Sequence, residues 1–239
     1  MLIEETVYFK SEEHLLHGVL AYDDDAAEAP GVVLCPAHPL LGGDMDNSII
    51  ASVYSLLAAQ QFVCLRFNYL GQGHSSGPAD DQAEKESLQA FWESSRSPLD
   101  EKRLVNAADA LGFIKSLQGA NPSALCLIGY SFGAYAAACA AAGSPDIAAL
   151  ILIAPTIHFH DFSALNTAAV PKLIISSDND FSYSPADLEK ACEGFAEPKQ
   201  VKSFTGADHF FLGKESEVAS CILEYFKTLP ALKKTHGSI

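Results

Sequence analysis

The chain has 239 residues, 49% of them hydrophobic, which is enough to bury one substantial core and ordinary for a single domain spanning 1–239. Thirty Asp and Glu against 15 Lys and Arg, with no basic block, argue against a nucleic-acid surface or an anionic-membrane patch. The opening Met1-Leu2-Ile3-Glu4-Glu5 lacks the cationic and apolar regions of a signal peptide, and no apolar run reaches membrane-spanning length, so a soluble cytoplasmic protein is expected.

Two short β-rich runs, Glu4–Lys10 and Leu15–Tyr22, flank the polar Ser11-Glu12-Glu13 and predict an antiparallel hairpin at the start of a sheet. After an acidic linker at Asp23–Pro30, Gly31–Pro36 is continuously apolar, as a strand buried on both faces should be. A loop at Ala37–Gly43 follows, then helical spacing over Asn47–Gln60, with Asp44, Asp46 and Asn47 placed to cap the helix rather than bind a metal. Phe62–Phe67 is the next buried strand and ends in a glycine-rich loop, Asn68–Gly77. Its near match to a dinucleotide fingerprint fails on spacing and on the absence of a following helix, so no nucleotide cofactor is expected.

Pro78–Arg103 is acidic and irregular, with Leu88, Phe91 and Trp92 as apolar anchors. It reads as an excursion packed on the sheet edge or as a partial lid whose aromatics face substrate. Leu104–Gln118 resumes helical periodicity and Asn121-Pro122 breaks it. The apolar run from Ala124 then passes through Gly129-Tyr130-Ser131-Phe132-Gly133 straight into an alanine-rich helix. Strand, sharp turn and helix are the context in which G-x-S-x-G carries meaning, because the turn lifts the serine hydroxyl above the sheet; Ser131 is the candidate nucleophile.

Beyond it, Ile147–Ala154 and Val170–Ser177 read as strands, Pro185–Gly194 as a helix, Lys199–Phe204 as the last strand and Lys214–Leu229 as the last helix. This alternation predicts an α/β fold with a mostly parallel sheet of eight strands, helices on both faces and a site at the carboxyl ends of the strands. A serine nucleophile needs a base and a carboxylate to orient that base. His209 follows the last strand, and Asp178 and Asp180 both follow the strand before it, giving the order Ser, Asp, His. His158, His160 and Asp161 lie close in sequence and read as a solvent loop lining the pocket, with no metal expected. Cys35, Cys64, Cys126, Cys139, Cys192 and Cys221 show no paired or metal-type spacing and read as small hydrophobes in a reducing compartment.

HPLLGG at His38–Gly43, RFNYLGQGHSSG at Arg66–Gly77, GYSFG at Gly129–Gly133, SSDND at Ser176–Asp180 and GADHFF at Gly206–Phe211 together resemble the α/β-hydrolase superfamily. The chain is most similar to small lidless bacterial serine hydrolases related to dienelactone-hydrolase-like enzymes. The resemblance implies a Ser131 nucleophile, a His209 base and Asp180 as the acid, with Ser176-Ser177 standing where the family usually has His-Gly. An oxyanion hole needs two backbone N–H groups, one from the residue after the nucleophile, here Phe132. Alignment of His38-Pro39-Leu40 with the family's His-Gly-x turn assigns the other to Leu40.

The implied activity is hydrolysis of a small ester or thioester through an acyl-enzyme. An acyltransferase on the same triad and a non-catalytic binding protein of the same fold are the rivals. With only Pro155–Ala169 where a lid is usually inserted, the expected site is open and shallow and favours short acyl chains. His38, Leu40, Phe159, Phe162, Phe181, Tyr183 and Phe210 are expected to border it. Natural substrate and oligomeric state are left open.

Overall fold

The computed structural model describes all residues except 26–27, 77–87, 90, 92, 95, 145 and 233–239. Its centre is one eight-stranded sheet in the order β1-β2-β4-β3-β5-β6-β7-β8. The strands are β1 (Leu2–Ser11), β2 (His14–Asp23), β3 (Ala29–Cys35), β4 (Val63–Phe67), β5 (Ala120–Tyr130), β6 (Ala149–Ile153), β7 (Lys172–Asn179) and β8 (Lys199–Asp208). The β1–β2 hairpin is antiparallel and β2 joins β4 antiparallel, whereas β4, β3, β5, β6, β7 and β8 run parallel. The helices are α1 (Ser48–Ala59), α2 (Asp100–Lys115), α3 (Phe132–Ala142), α4 (Pro185–Gly194) and α5 (Glu215–Thr228).

Strands β3 and β6, and β5 from Ala124 on, are buried on both faces, which is why their sequences are apolar without alternation. One core, around Leu127, Leu150 and Leu152, packs under α2 and α3; the other, around Ile128, Ile151 and Ile153, packs under α1 and α5. Successive residues of a strand point to opposite faces, so Leu127 and Ile128 feed different cores. Asn47 caps α1, its side chain accepting from the Ile49 N–H, and Ser184 caps α4 through the Asp187 N–H.

Three boundaries differ by four residues from the sequence expectation. Asn121-Pro122 lies inside β5 rather than before it, because the register shifts between Pro30 and Gly31 and accommodates the proline. Helix α2 starts four residues earlier than its apolar periodicity, at Asp100, whose carboxylate accepts from the Ser97 N–H; Asp100 and Glu101 both suit the positive end of the helix. β8 runs four residues past Phe204 to Asp208, which carries the chain directly to His209.

The glycine-rich loop after β4 is fastened to β2, with Ser76 N–H donating to the Leu15 carbonyl and His17 N–H donating to Ser75 Oγ. The Pro78–Arg103 reading falls partly outside the described residues, Trp92 included. Among those described, Leu88 is exposed and is no core anchor, whereas Phe91 is buried. No helix of the described residues is long and apolar enough to cross a membrane.

Candidate active site

β5 ends in a tight bend at Ser131, which sits at φ 58°, ψ −118°, a left-handed backbone conformation that costs a non-glycine residue energy. The flanking glycines are there for space. A Cβ on Gly129 would lie 2.0 Å from the Gly133 carbonyl oxygen, and one on Gly133 would lie 2.1 Å from that of Cys35. Both distances are far inside contact, so only hydrogen fits at either position. Ser131 N–H donates to the Ile153 carbonyl, which ties the bend to β6.

The Ser131 hydroxyl lies 2.9 Å from His209 Nε2, and His209 Nδ1 lies 2.8 and 2.9 Å from the two oxygens of Asp180. All three side chains are almost fully buried. Asp180 also accepts from the Ser182 N–H at 2.8 Å and the Ser182 hydroxyl at 2.7 Å. Burial alone would raise its pKa, but the hydrogen bond and charge of His209 together with the Ser182 donors outweigh it and hold the carboxyl below its ordinary value. An acceptor-only carboxylate at Nδ1 fixes the His209 proton there and leaves Nε2 free to take one from Ser131. Asp178 is turned away: its two oxygens accept from the Gly206 N–H at 2.9 and 3.0 Å. Tyr130 donates its hydroxyl to the His209 carbonyl.

A cavity of about 400 Å³ opens over Ser131. Of the residues expected at its border, His38, Phe159, Phe181 and Phe210 line it together with Phe132. Three do not. Phe162 is buried in the core with its ring edge against Tyr135. Tyr183 is buried beneath the acid loop, where its hydroxyl accepts from the Ser177 N–H. Leu40 is absent from the wall because Pro39–Leu41 curls into a 3-10 turn and its N–H is taken by His38 Nδ1 at 3.1 Å.

Ala37 offers another backbone N–H at this wall. It lines the cavity, follows the Cys35-Pro36 carbonyls that press on Gly133, and its N–H, like that of Phe132, makes no hydrogen bond to the described residues. A histidine that folds back on its own loop changes which amide is left over, and no spacing rule shows this.

His38 itself is a buried part of the wall. With Nδ1 accepting, its proton sits on Nε2, which donates to Asp100 Oδ1 at 2.8 Å, and Arg103 donates to the same oxygen at 2.9 Å. Phe91 stacks on the His38 ring with centroids 4.4 Å apart and forms part of the cavity wall. His160 and Thr156, paired at 2.8 Å, line the cavity too. Burial drives the His160 pKa down to about 4, so this ring is neutral. His158 bonds instead to Asp187, and Asp161 accepts from the Ser163 N–H, so the three residues of this acidic histidine loop point three ways.

The six cysteines are free thiols, most of them buried, and desolvation raises the pKa of each. Ala37 and Thr156 are wall residues that the sequence did not assign to it, whereas His160 lies in the loop that the sequence reads as lining the pocket. Phe91 and His160 stood out as residues, the first among the lid aromatics and the second in the histidine cluster, but neither spacing says which way a side chain turns.

Residues 16–228 match the model of the Dienelactone hydrolase family. A relative, an uncharacterized protein of Rickettsia prowazekii (strain Madrid E), is 29% identical over 243 residues, covering 98% of this chain and 93% of its own. A solved protein of unknown function from Agrobacterium tumefaciens superposes with a TM-score of 0.78 at 27% identity, covering 93% of this chain and 95% of that one. A serine hydrolase without lid from Xanthomonas campestris gives 0.76 at 21% identity over 95% of both chains, a likeness of fold.

Proposed function

This chain belongs to the dienelactone hydrolase family, and from that premise we propose that it is a serine hydrolase cleaving small esters through an acyl-enzyme intermediate. The observation that carries the reading is the unbroken hydrogen-bonded line from Ser131 Oγ through His209 to Asp180, starting at a strained bend above the sheet.

In this reading Ser131 Oγ attacks the ester carbonyl as His209 Nε2 removes its proton, and Asp180 holds the imidazole in the required tautomer and stabilises the cation that forms. Negative charge develops on the carbonyl oxygen, and the unpaired N–H groups of Phe132 and Ala37 are the donors available to receive it. The former opens α3, and the latter follows β3, the strand paired with β5. The Nε2 proton then passes to the departing alkoxide as the acyl carbon–oxygen bond breaks. Water, deprotonated by the same nitrogen, attacks the acyl-enzyme; the acyl carbon–Oγ bond breaks, the Nε2 proton returns to Ser131 Oγ and the acid is released.

The test is labelling by a fluorophosphonate, read by peptide mass spectrometry, together with hydrolysis of p-nitrophenyl acetate. One label on the peptide bearing Ser131, and loss of both labelling and turnover in Ser131→Ala, is the expected outcome. Labelling at another residue, or folded protein that neither labels nor turns over ester, would overturn the proposal.

A further inference from the structure

Ring contacts divide the wall of the cavity into two parts. One part surrounds Phe132, the residue after the nucleophile: the His38 ring lies 4.9 Å from it and the His160 ring 5.6 Å. The other surrounds the base. The Phe181 ring is 4.4 Å from the His209 ring, Phe210 is 5.6 Å from it, and the two phenylalanines are 6.0 Å apart. The first part is deep and includes buried residues. The second is open, with Phe181 61% and Phe210 59% exposed.

Two large apolar rings left in water beside the base lose hydrophobic stabilisation that any apolar group laid on them would recover. Chemistry fixes what is laid there. When the acyl carbon–oxygen bond breaks, the leaving oxygen collects its proton from His209 Nε2, so it must come within hydrogen-bond reach of that nitrogen, and the organic part of the alcohol must lie along the His209 side of the cavity. The acyl part then falls to the Phe132 side, where the oxyanion donors are.

Charge narrows the class. No Lys or Arg is among the described residues that line the cavity, the Asp208 carboxylate accepts from the Phe210 N–H at the rim, and the chain carries −15 overall. A polyanionic carrier would meet repulsion without a compensating cation.

Building on the serine-hydrolase reading, we propose that Phe181 and Phe210 form a leaving-group subsite for an uncharged aromatic alcohol, so that the preferred substrates are aryl-bearing esters rather than acyl groups on a polyanionic thiol. The exposure of both rings means that their removal leaves the core untouched, and the deep part of the cavity is free to hold a compact acyl group.

The experiment has a binding arm and a turnover arm. In the first, 2-naphthylmethanol is titrated into Ser131→Ala and into the same variant carrying Phe181→Ala and Phe210→Ala, with binding followed by calorimetry or ligand NMR. About tenfold weaker binding without the two rings is expected, the scale of losing one or two aromatic contacts. Equal affinity in both proteins, or no binding to either, overturns the subsite. In the second arm, kcat/KM of the unaltered enzyme is compared for benzyl acetate, 2-methoxyethyl acetate and acetyl-coenzyme A. The expected order places the benzyl ester first by about tenfold and the coenzyme A thioester last. The Phe181→Ala, Phe210→Ala enzyme should bring the benzyl to methoxyethyl ratio close to one. A ratio that survives the double substitution, or a preference for the thioester, overturns the proposal. Naphthylmethanol binding that depends on both rings, in a protein that hydrolyses none of these esters, would leave the subsite standing and refute the hydrolase reading instead.

Discussion

At the scale of single residues, the candidate site turns on which polar groups are already engaged. Asp178 and Asp180 are two positions apart at the end of one strand, yet only Asp180 reaches His209, while Asp178 is occupied by the Gly206 amide. Asp180→Asn is therefore expected to lower kcat by about ten-thousandfold, the scale of tautomer loss in a serine triad. Asp178→Asn should change it by less than about tenfold, since a neutral amide oxygen still accepts from Gly206. Steady-state kinetics on p-nitrophenyl acetate separates the two, and a reversed order would move the orienting role to Asp178. The same accounting singles out Ala37 over Leu40. Ala37→Pro deletes one N–H and should reduce kcat by about 10²- to 10³-fold, as losing one oxyanion donor does elsewhere. Near-UV circular dichroism unchanged from the parent would show that the loss is chemical, and unaltered turnover would return the assignment to another amide.

At the scale of elements, strands β7 and β8 bring Asp180 and His209 together by running past the body of the sheet at their carboxyl ends, where Asn179 still pairs with Asp208. The opposite end of β7 is held by a different device. Lys172 is fully buried, and its ammonium group donates to the carbonyls of Ala168 and Ala196, so it pins the loops before β7 and before β8. Burial lowers its pKa, and the two carbonyls are what it has in place of water. Lys172→Met keeps the stem but orphans both acceptors. A loss of about 2–4 kcal/mol in urea unfolding is expected, with kcat/KM nearly unchanged because the site lies at the far end of the strand. A large fall in kcat/KM at unchanged stability would contradict this separation. The small residues of the bend work in the other direction, making room where β3, β5 and α3 crowd together.

For the whole molecule, several buried groups bind fewer protons folded than unfolded. His160 titrates near 4 in the fold against an ordinary 6.5, chiefly through burial. His38 is lowered for the same first reason. Asp180 and Asp100 are held below their ordinary value because hydrogen bonds and charges, from His209 and Ser182 in one case and His38, Ser97 and Arg103 in the other, outweigh the effect of burial. Each makes the unfolded chain the stronger proton binder, so stability rises with pH. The histidine contribution is complete above about 6.5 and is lost as pH falls toward 4. The carboxylate contribution is complete above the ordinary carboxylate range and is lost below it. Urea unfolding at pH 7 and pH 4.5 should accordingly differ by about 1–3 kcal/mol, and His160→Gln should shrink that difference. Stability that is flat over this interval, or higher at pH 4.5, would show that these groups titrate alike in both states.

How much of this was readable beforehand depends on range. Apolar runs without alternation marked the buried strands, alanine richness marked α3, and glycines either side of Ser131 marked a bend, because each of these reflects interactions among residues close in the chain. Those local signals, with the family wording of five motifs, were enough for the fold, for Ser131 and His209 as candidates, and for two aspartates as possible partners. Tertiary structure decided the rest, because it depends on where side chains from distant segments meet. The distances that select Asp180, the His38 ring that takes the Leu40 amide and leaves Ala37 unpaired, and the burial that sends Tyr183 and Phe162 into the core are all long-range outcomes. So is the division of the cavity, since Phe181 and Phe210 sit 29 positions apart and become neighbours only when β7 pairs with β8. A sequence states which residue is polar or aromatic; which partner it finds is fixed by the close packing of the whole chain.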